Sequence, residues 1–488
     1  MKSGSMLPGQ PRSTSKLRRS KIVATLGPAS SSPEMIRKLL DAGVNVFRLN
    51  FSHGTREVHE RNIALIREEA SNGGRSVGVL QDLQGPKIRV ATFADDSIEL
   101  VPGAAFSLTC GDDSPGDVTR VGVTYRGLYA DVEAGDSLLL DDGRLRLKVT
   151  GVKGETIETE VIVGGVLSNN KGINIPDADL SIPALTEKDV EDLITGVELG
   201  VDWVAMSFVR SRDDILLARH YLNREGSTAR LMAKIEKPGA VERFAEILTE
   251  VDGIMVARGD LGVEMPPETV PLVQKNLIRA CVEAGKPVVT ATQMLESMIS
   301  SPMPTRAEAS DVANAIIDGT DAVMLSAETA VGDYPVEAVQ MMDAIARTVE
   351  SDELYREGMR DFQLAPEQTT ADVVSAGACE MAYNLQAGLI VSFTTSGTTA
   401  LRVSRHRPSA PILAITPSEK AFREMSVAWG VIPFVSRDIS STDEMVAVAR
   451  QAIRDVGLSV PGDRFVITAG VPFGQSGTTN LIRIERTD

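Results

Sequence analysis

The stretch Arg230-Leu231-Met232-Ala233-Lys234-Ile235-Glu236 and its successor Gly253-Ile254-Met255-Val256-Ala257-Arg258-Gly259-Asp260 decide the fold. Each is a short apolar run that ends in charged residues and gives way to apolar residues three or four apart. Near-continuous Val, Ile, Ala and Met, rather than strict alternation, is what a strand covered on both faces requires. Runs of the same kind at 21–25, 44–50, 77–82, 201–207, 287–293 and 321–328 bring the total to eight, and most lead into helical spacing, as at 32–40 and 307–317. Eight strand-helix units argue for an α/β chain folded as a (β/α)8 TIM barrel.

Outward from the repeat, the third and fourth runs are separated by an interval of different character. Residues 88–183 alternate short β-rich segments (106–109, 137–140, 145–149, 156–163) with Gly, Asp and Pro turns, the pattern of a small all-β domain inserted after strand 3. Beyond the barrel, strand-like runs at 387–393, 410–416, 431–435 and 464–468 with helices between them suggest a separate open α/β domain. The expected division is a barrel at 16–87 and 184–355, an inserted domain at 88–183 and a C-terminal domain at 356–488. Residues 1–15, rich in Ser, Pro and Gly without the apolar centre of a secretory signal, read as a disordered lead-in.

Length and composition agree with several folded domains. The chain has 488 residues, 43% hydrophobic and 24% charged, which excludes wholesale disorder. With 50 Lys+Arg against 67 Asp+Glu, the formal charge is -17, and Lys16, Arg18, Arg19 and Lys21 form the longest basic cluster. That argues against a nucleic-acid partner. No apolar run approaches the roughly 18 residues of a membrane helix, so no membrane partner is expected. Cys110, Cys281 and Cys379 lie far apart without metal-ligand spacing, as suits a reducing cytoplasm.

In such a barrel the reactive groups stand at the carboxyl ends of the strands. Residues two apart in a strand share a face, so Arg48, Asn50 and Ser52 lie together, as do Lys234 and Glu236. Adjacent strands are about 4.8 Å apart, close enough for Glu236 and Asp260 to share one hard cation. Two carboxylates suit Mg2+, which keeps water and phosphate oxygens as its other ligands. Lys234 would bring a positive charge to a substrate oxygen; a plain salt bridge to Glu236 is the alternative. Gly259 and Gly262 in the turn around Asp260 let an anion approach the main chain. Thr292 brings a hydroxyl to the same mouth or caps the following helix.

The ordered motifs Thr-Leu-Gly-Pro-Ala-Ser (25–30), Arg-Leu-Asn-Phe-Ser-His-Gly (48–54), Asp-Leu-Gln-Gly-Pro-Lys-Ile-Arg (82–89), Lys-Ile-Glu (234–236), Ala-Arg-Gly-Asp-Leu-Gly (257–262) and Ala-Thr-Gln-Met-Leu-Glu-Ser-Met (291–298), with the segment 304–335, resemble pyruvate kinase over almost the whole chain. The resemblance implies phosphoryl transfer from phosphoenolpyruvate to ADP, giving ATP and pyruvate, with Mg2+ or Mn2+, in a homotetramer. It implies that Glu236 and Asp260 hold the metal, Lys234 stabilises the moving phosphoryl, and Arg48 binds phosphate. The Gly259 and Asp260 N–H groups would take the substrate carboxylate, and Thr292 would lie near the enolate carbon. Asn50, His53, Arg89 and Lys171 match nucleotide-contacting positions. Thr394, Thr395, Ser396, Gly397, Thr398 and Thr399, leading into a helix, resemble the loop that binds a phosphorylated effector, although a helix cap explains them too; 474–480 would form a second wall.

One departure from the family pattern concerns a monovalent-cation site at Asn50, Ser52, Asp82 and the backbone of Leu83. Members that depend on K+ resemble one another in carrying Thr at the position of Leu83 and Glu at that of Lys87. A lysine there brings its own charge, so Lys87 is expected to replace K+. Two alternatives stand beside this reading: another Mg2+-dependent barrel enzyme of the aldolase or mutase type acting on a pyruvate enolate, and a catalytically silent metabolite sensor.

Overall fold

The computed structural model describes residues 17–487 apart from 177, 179, 362, 363, 459, 460, 475 and 476, so the lead-in at 1–15 lies outside the described residues. The eight runs form parallel strands: β1 (Lys21–Leu26), β2 (Val46–Asn50), β3 (Gly78–Asp82), β4 (Trp203–Met206), β5 (Arg230–Ile235), β6 (Gly253–Ala257), β7 (Val288–Ala291) and β8 (Ala322–Leu325). They close as a barrel in the order β1-β8-β7-β6-β5-β4-β3-β2, as the repeat predicts.

Parity within the strands builds the barrel in two layers. Phe47, Leu49, Val204, Ala233 and Ile235 face outward and pack with the surrounding helices. Val23, Val46, Leu80, Ala205, Met232 and Met255 face inward and fill the interior. The inward rows continue upward to Thr25, Arg48, Asp82, Ser207 and Lys234, where the apolar filling ends and the mouth opens. Local signals start the helices around it. Thr186 and Asp189 form a capping box on Glu187–Glu198, and Thr305 and Glu308 form one on Arg306–Ile317.

Between β3 and β4 stands a six-stranded sheet in the order Ile173–Asn174, Ser137–Leu140, Leu145–Lys153, Thr156–Val163, Ala105–Cys110, Arg120–Val123, with a second sheet of Ser97–Leu100 and Gly165–Ser168. It has its own core around Phe106, Leu108, Leu138, Leu147 and Ile157. Four of these eight strands escaped the sequence reading, because pieces such as Ser97–Leu100 are too short to show alternation and gain their partners from far along the chain. A one-turn helix, Leu128–Asp131, interrupts the β pattern.

The C-terminal sheet runs Val431–Val435, Ile412–Thr416, Leu389–Phe393, Arg464–Gly470, Thr479–Arg486. The last strand is antiparallel and was not expected. This domain closes the base of the barrel. Val427, in the 3-10 turn Met425–Val427, joins the interior cluster of the strands. Asp202, Asp252 and Asp321 stand just before β4, β6 and β8, and each accepts a backbone N–H from the preceding strand, at Val79, Leu231 and Val288. Two of them also bind C-terminal arginines, Asp202 to Arg423 at 2.9 Å and Asp321 to Arg407 at 3.1 Å. Among the described residues no helix is long and apolar enough to cross a membrane.

Candidate active site

At the carboxyl ends of β2, β3 and β5 the inward rows meet in a charge network. The register sets Thr25 beside Arg48 and Asn50 beside Asp82. Arg48 donates from Nε to Asp82 Oδ2 at 2.6 Å and from Nη1 to Thr25 Oγ1 at 3.0 Å. Lys234 Nζ lies 2.9 Å from Glu236 Oε1 and 3.2 Å from Asp82 Oδ1, and donates to Ser207 Oγ at 2.6 Å. Glu236 Oε2 accepts the Phe208 N–H at 2.7 Å. The salt bridge between Lys234 and Glu236 therefore exists, as one arm of a larger cluster.

Burial makes these charges interdependent. Desolvation alone would raise the Asp82 pKa, yet Lys234 and Arg48 hold it below its ordinary value. Burial would likewise discharge Lys234, but Asp82 and Glu236 together push its pKa above the usual lysine range. Glu236 ends up raised, first by burial and then by the nearby Asp260 charge, against the pull of Lys234.

Asp260 does not sit in a turn. Residues Arg258–Glu264 form a short helix directly after β6, because burial of Leu261 and Glu264 and packing against β7 and the following helix Val270–Glu283 supply what two glycines alone do not suggest. The Gly259 N–H donates to Thr292 Oγ1 at 2.7 Å, and that hydroxyl donates to the Ala291 carbonyl at 2.6 Å. Thr292 caps no helix; it follows β7 with φ 70, and Gln293 with φ 54. Arg258, unremarked in the sequence, pins this turn by donating to Thr292 O at 2.8 Å while forking onto Asp311 at 2.6 and 2.7 Å.

Lys87 Nζ lies 3.9 Å from Asp260 Oδ1, with both side chains half-buried at the mouth. The Leu83 side chain is buried in the outer core, and its carbonyl accepts the Ser207 hydroxyl at 2.7 Å. Asn50 Oδ1 accepts the Ser52 N–H at 3.1 Å. His53 is exposed, and its carbonyl contacts His59 Nε2 at 3.1 Å. Arg89 bridges antiparallel to Gly172, next to Lys171, which pairs with Asp141 at 2.6 Å. Among the described residues no hydrogen bond or ion pair joins His53, Arg89 or Lys171 to the Arg48 and Lys234 network. Ser207 and Thr25 were missed, although the parity that singles out Arg48 and Lys234 applies to them.

Among the described residues no three His, Cys, Asp or Glu side chains gather as a metal cage. The pair Glu236 and Asp260 nonetheless fits a hard divalent cation. Its donors are carboxylate oxygens, and the buried Glu236 charge, destabilised by Asp260, is of the kind that such a cation relieves.

A second cleft lies in the C-terminal domain. Thr394, Thr395, Ser396, Thr398 and Thr399 line it with Arg437, Gly474, Gly477, Thr478 and Thr479; 475 and 476 of the expected second wall lie outside the described residues. Gly397, at φ 86, precedes the helix Thr398–Arg405 without a side-chain cap. The Ser396 and Thr398 hydroxyls contact each other at 2.9 Å, and Thr399 contacts Thr479 at 2.8 Å.

Comparison with known proteins identifies the family and agrees with the fold. The family profile described as pyruvate kinase, barrel domain, matches residues 17–339, and that described as pyruvate kinase, alpha/beta domain, matches residues 372–485. A pyruvate kinase of Agrobacterium vitis is 48% identical over 467 residues, covering 96% of this chain and 98% of the relative. One from Methylorubrum extorquens is 48% identical over 468 residues, covering 96% and 97%. A crystal structure of a pyruvate kinase from Cryptosporidium parvum superposes with a TM-score of 0.90 at 34% identity, covering 97% of each chain. With the barrel profile matched over 17–339, the alpha/beta profile over 372–485 and a relative 48% identical over 96% of this chain, the chain belongs to the pyruvate kinase family.

Proposed function

We propose that the protein transfers the phosphoryl group of phosphoenolpyruvate to ADP, giving ATP and enolpyruvate, which is then protonated at carbon to pyruvate. The observation that carries this reading is the buried network of Arg48, Asp82, Lys234 and Glu236 with Asp260 beside it. Phosphoryl transfer asks a protein mainly to position reactants and neutralise charge. Arg48, held in place by Asp82 and Thr25, orients the phosphoryl group through its guanidinium. Lys234 keeps its proton and stabilises the equatorial oxygens as the group moves. Glu236 and Asp260 would hold Mg2+ or Mn2+, which supplies charge neutralisation at substrate oxygens. The N–H groups at Gly259 and Asp260 take the substrate carboxylate once Thr292 Oγ1 gives up Gly259. Thr292 then stands where it can help place the proton donor for the enolate carbon.

The finer assignments extend this reading. The division into a catalytic barrel (16–87, 184–355), a lid (88–183) and a regulatory domain (356–488) places Arg89 and Lys171 on the lid to meet the nucleotide, with Asn50 and His53 below. Lys87 supplies the charge of a monovalent cation, so K+ is not required. A phosphorylated metabolite bound at 394–399 activates a cytoplasmic homotetramer. A coupled assay of pyruvate formed from phosphoenolpyruvate and ADP tests the core of the proposal: Mg2+-dependent turnover is expected. Absence of turnover would favour the silent-sensor reading, and carbon-carbon cleavage of a pyruvate adduct without ADP would favour the aldolase type.

A further inference from the structure

We propose that Ser207 and the backbone N–H of Phe208, consecutive groups just past β4, form a positioning element that sets the geometry of Lys234 and Glu236 for phosphoryl transfer. The inference rests on the role given above to Lys234. The strand β5 fixes only where the Lys234 stem begins; four flexible carbons separate it from the ammonium. Asp82 and Glu236 attract that ammonium strongly but without much direction, since charge-charge attraction depends mainly on distance. The Ser207 hydroxyl adds direction. It accepts a Lys234 N–H at 2.6 Å, and its own proton has the Leu83 carbonyl at 2.7 Å as the near acceptor and Asp82 Oδ1 at 3.5 Å as the far one, both on the segment at the end of β3, which keeps the hydroxyl from turning away. Ser207 is 2% exposed, so no water competes freely for either bond.

Phe208 completes the arrangement. Its N–H holds Glu236 Oε2 at 2.7 Å, leaving Oε1 for Lys234 at 2.9 Å. The two oxygens of one carboxylate are thus assigned to different partners by a main-chain donor that cannot rotate. Phe208 has φ 54, a conformation that side-chain-bearing residues seldom adopt. Close packing holds it there. A Cβ at Gly85 would lie 2.8 Å from the Phe208 ring and 2.9 Å from Ser207 Cβ, so the absence of a side chain at Gly85 is what admits the turn.

The test compares Ser207→Ala, Ser207→Thr and Lys234→Ala with the parent, measuring kcat, KM for phosphoenolpyruvate, the Mg2+ concentration for half activation, and thermal melting. Misplacing a catalytic group by about 1 Å can cost on the order of a hundredfold. Ser207→Ala is therefore expected to lower kcat by about tenfold to a hundredfold, with KM and Mg2+ activation changed by less than about threefold and melting preserved. Ser207→Thr, which keeps the hydroxyl, should recover most of the lost turnover. A parental kcat in Ser207→Ala beside a collapsed kcat in Lys234→Ala would overturn the positioning role alone. Parental turnover in both variants would overturn the role of Lys234 and this inference with it. Parallel damage to KM, metal activation and melting, or no recovery with threonine, would mark Ser207 as a packing residue and likewise overturn the proposal.

Discussion

Each charged group at the mouth is defined by its neighbours more than by its own chemistry. Glu236 is a carboxylate whose burial and whose neighbour Asp260 raise its pKa while Lys234 lowers it. Removing either carboxylate's charge should therefore be felt as weaker metal binding. Glu236→Gln and Asp260→Asn are each expected to raise the Mg2+ concentration for half activation by about tenfold or more, read from metal titrations of the coupled assay. An unchanged titration in either variant would remove that residue from the metal site. Lys87 makes a second residue-scale case, because its ammonium stands 3.9 Å from Asp260 in the mouth. Substantial activity is expected in buffers whose only monovalent cation is a bulky quaternary ammonium, with little gain from K+, whereas Lys87→Glu should acquire a K+ requirement. Near-zero activity of the parent without K+ would falsify this. Parity made Arg48, Lys234 and Glu236 legible in the sequence. It left Ser207 and Thr25 unmarked, because a hydroxyl closing a strand looks the same whether it holds a lysine or faces water.

Elements were read best where their pattern is long and worst where neighbours supply the stability. The helix Arg258–Glu264 contains two glycines and reads as a turn, since each glycine costs about 1 kcal/mol of helix propensity; packing against the barrel overrides that preference. The strand Thr479–Arg486 was overlooked because only the first of its eight residues is fully buried, so it lacks the continuous apolar run of the other strands. The loop before Thr398–Arg405 carries the prediction at this scale. Its hydroxyls line a cleft with Arg437 and Thr478, and an anion bound there would meet uncapped N–H groups at the helix start. Activation by a phosphorylated sugar or a nucleoside monophosphate is expected in the parent and should be abolished by Ser396→Glu with Thr398→Glu, while the effector-free variant still turns over. Undiminished activation in the double variant would place the effector elsewhere.

For the whole molecule, what matters is how the C-terminal domain closes the barrel base. Lys21, the first residue of β1, is buried there and donates to the Val431 carbonyl of the C-terminal sheet at 2.6 Å. Burial, reinforced by Arg18, lowers its pKa from 10.5 to about 7. At Lys21 the unfolded chain thus binds more protons than the native one between those two values, so this residue's contribution to stability rises with pH across that window. The thiols of Cys281 and Cys379, whose pKa values burial raises, act in the opposite sense near its upper end. Between roughly pH 7 and 9 the stability of the parent is expected to gain on that of Lys21→Met by the equivalent of up to about 2 kcal/mol, read from thermal melts of the two proteins. Parallel melting profiles of the parent and Lys21→Met over that range would contradict it. The sequence carried the eightfold repeat, the inserted and appended domains and the inward-facing residues at the strand ends, because burial on both faces and two-residue parity are local consequences of composition. Tertiary structure alone decided which of those residues touch. The Asp82, Lys234 and Ser207 contact joins β3, β5 and the turn just past β4, and the Lys87 approach to Asp260 joins the segment after β3 to the helix after β6. Both depend on the closure of the barrel, whose register brings together groups that are far apart along the chain.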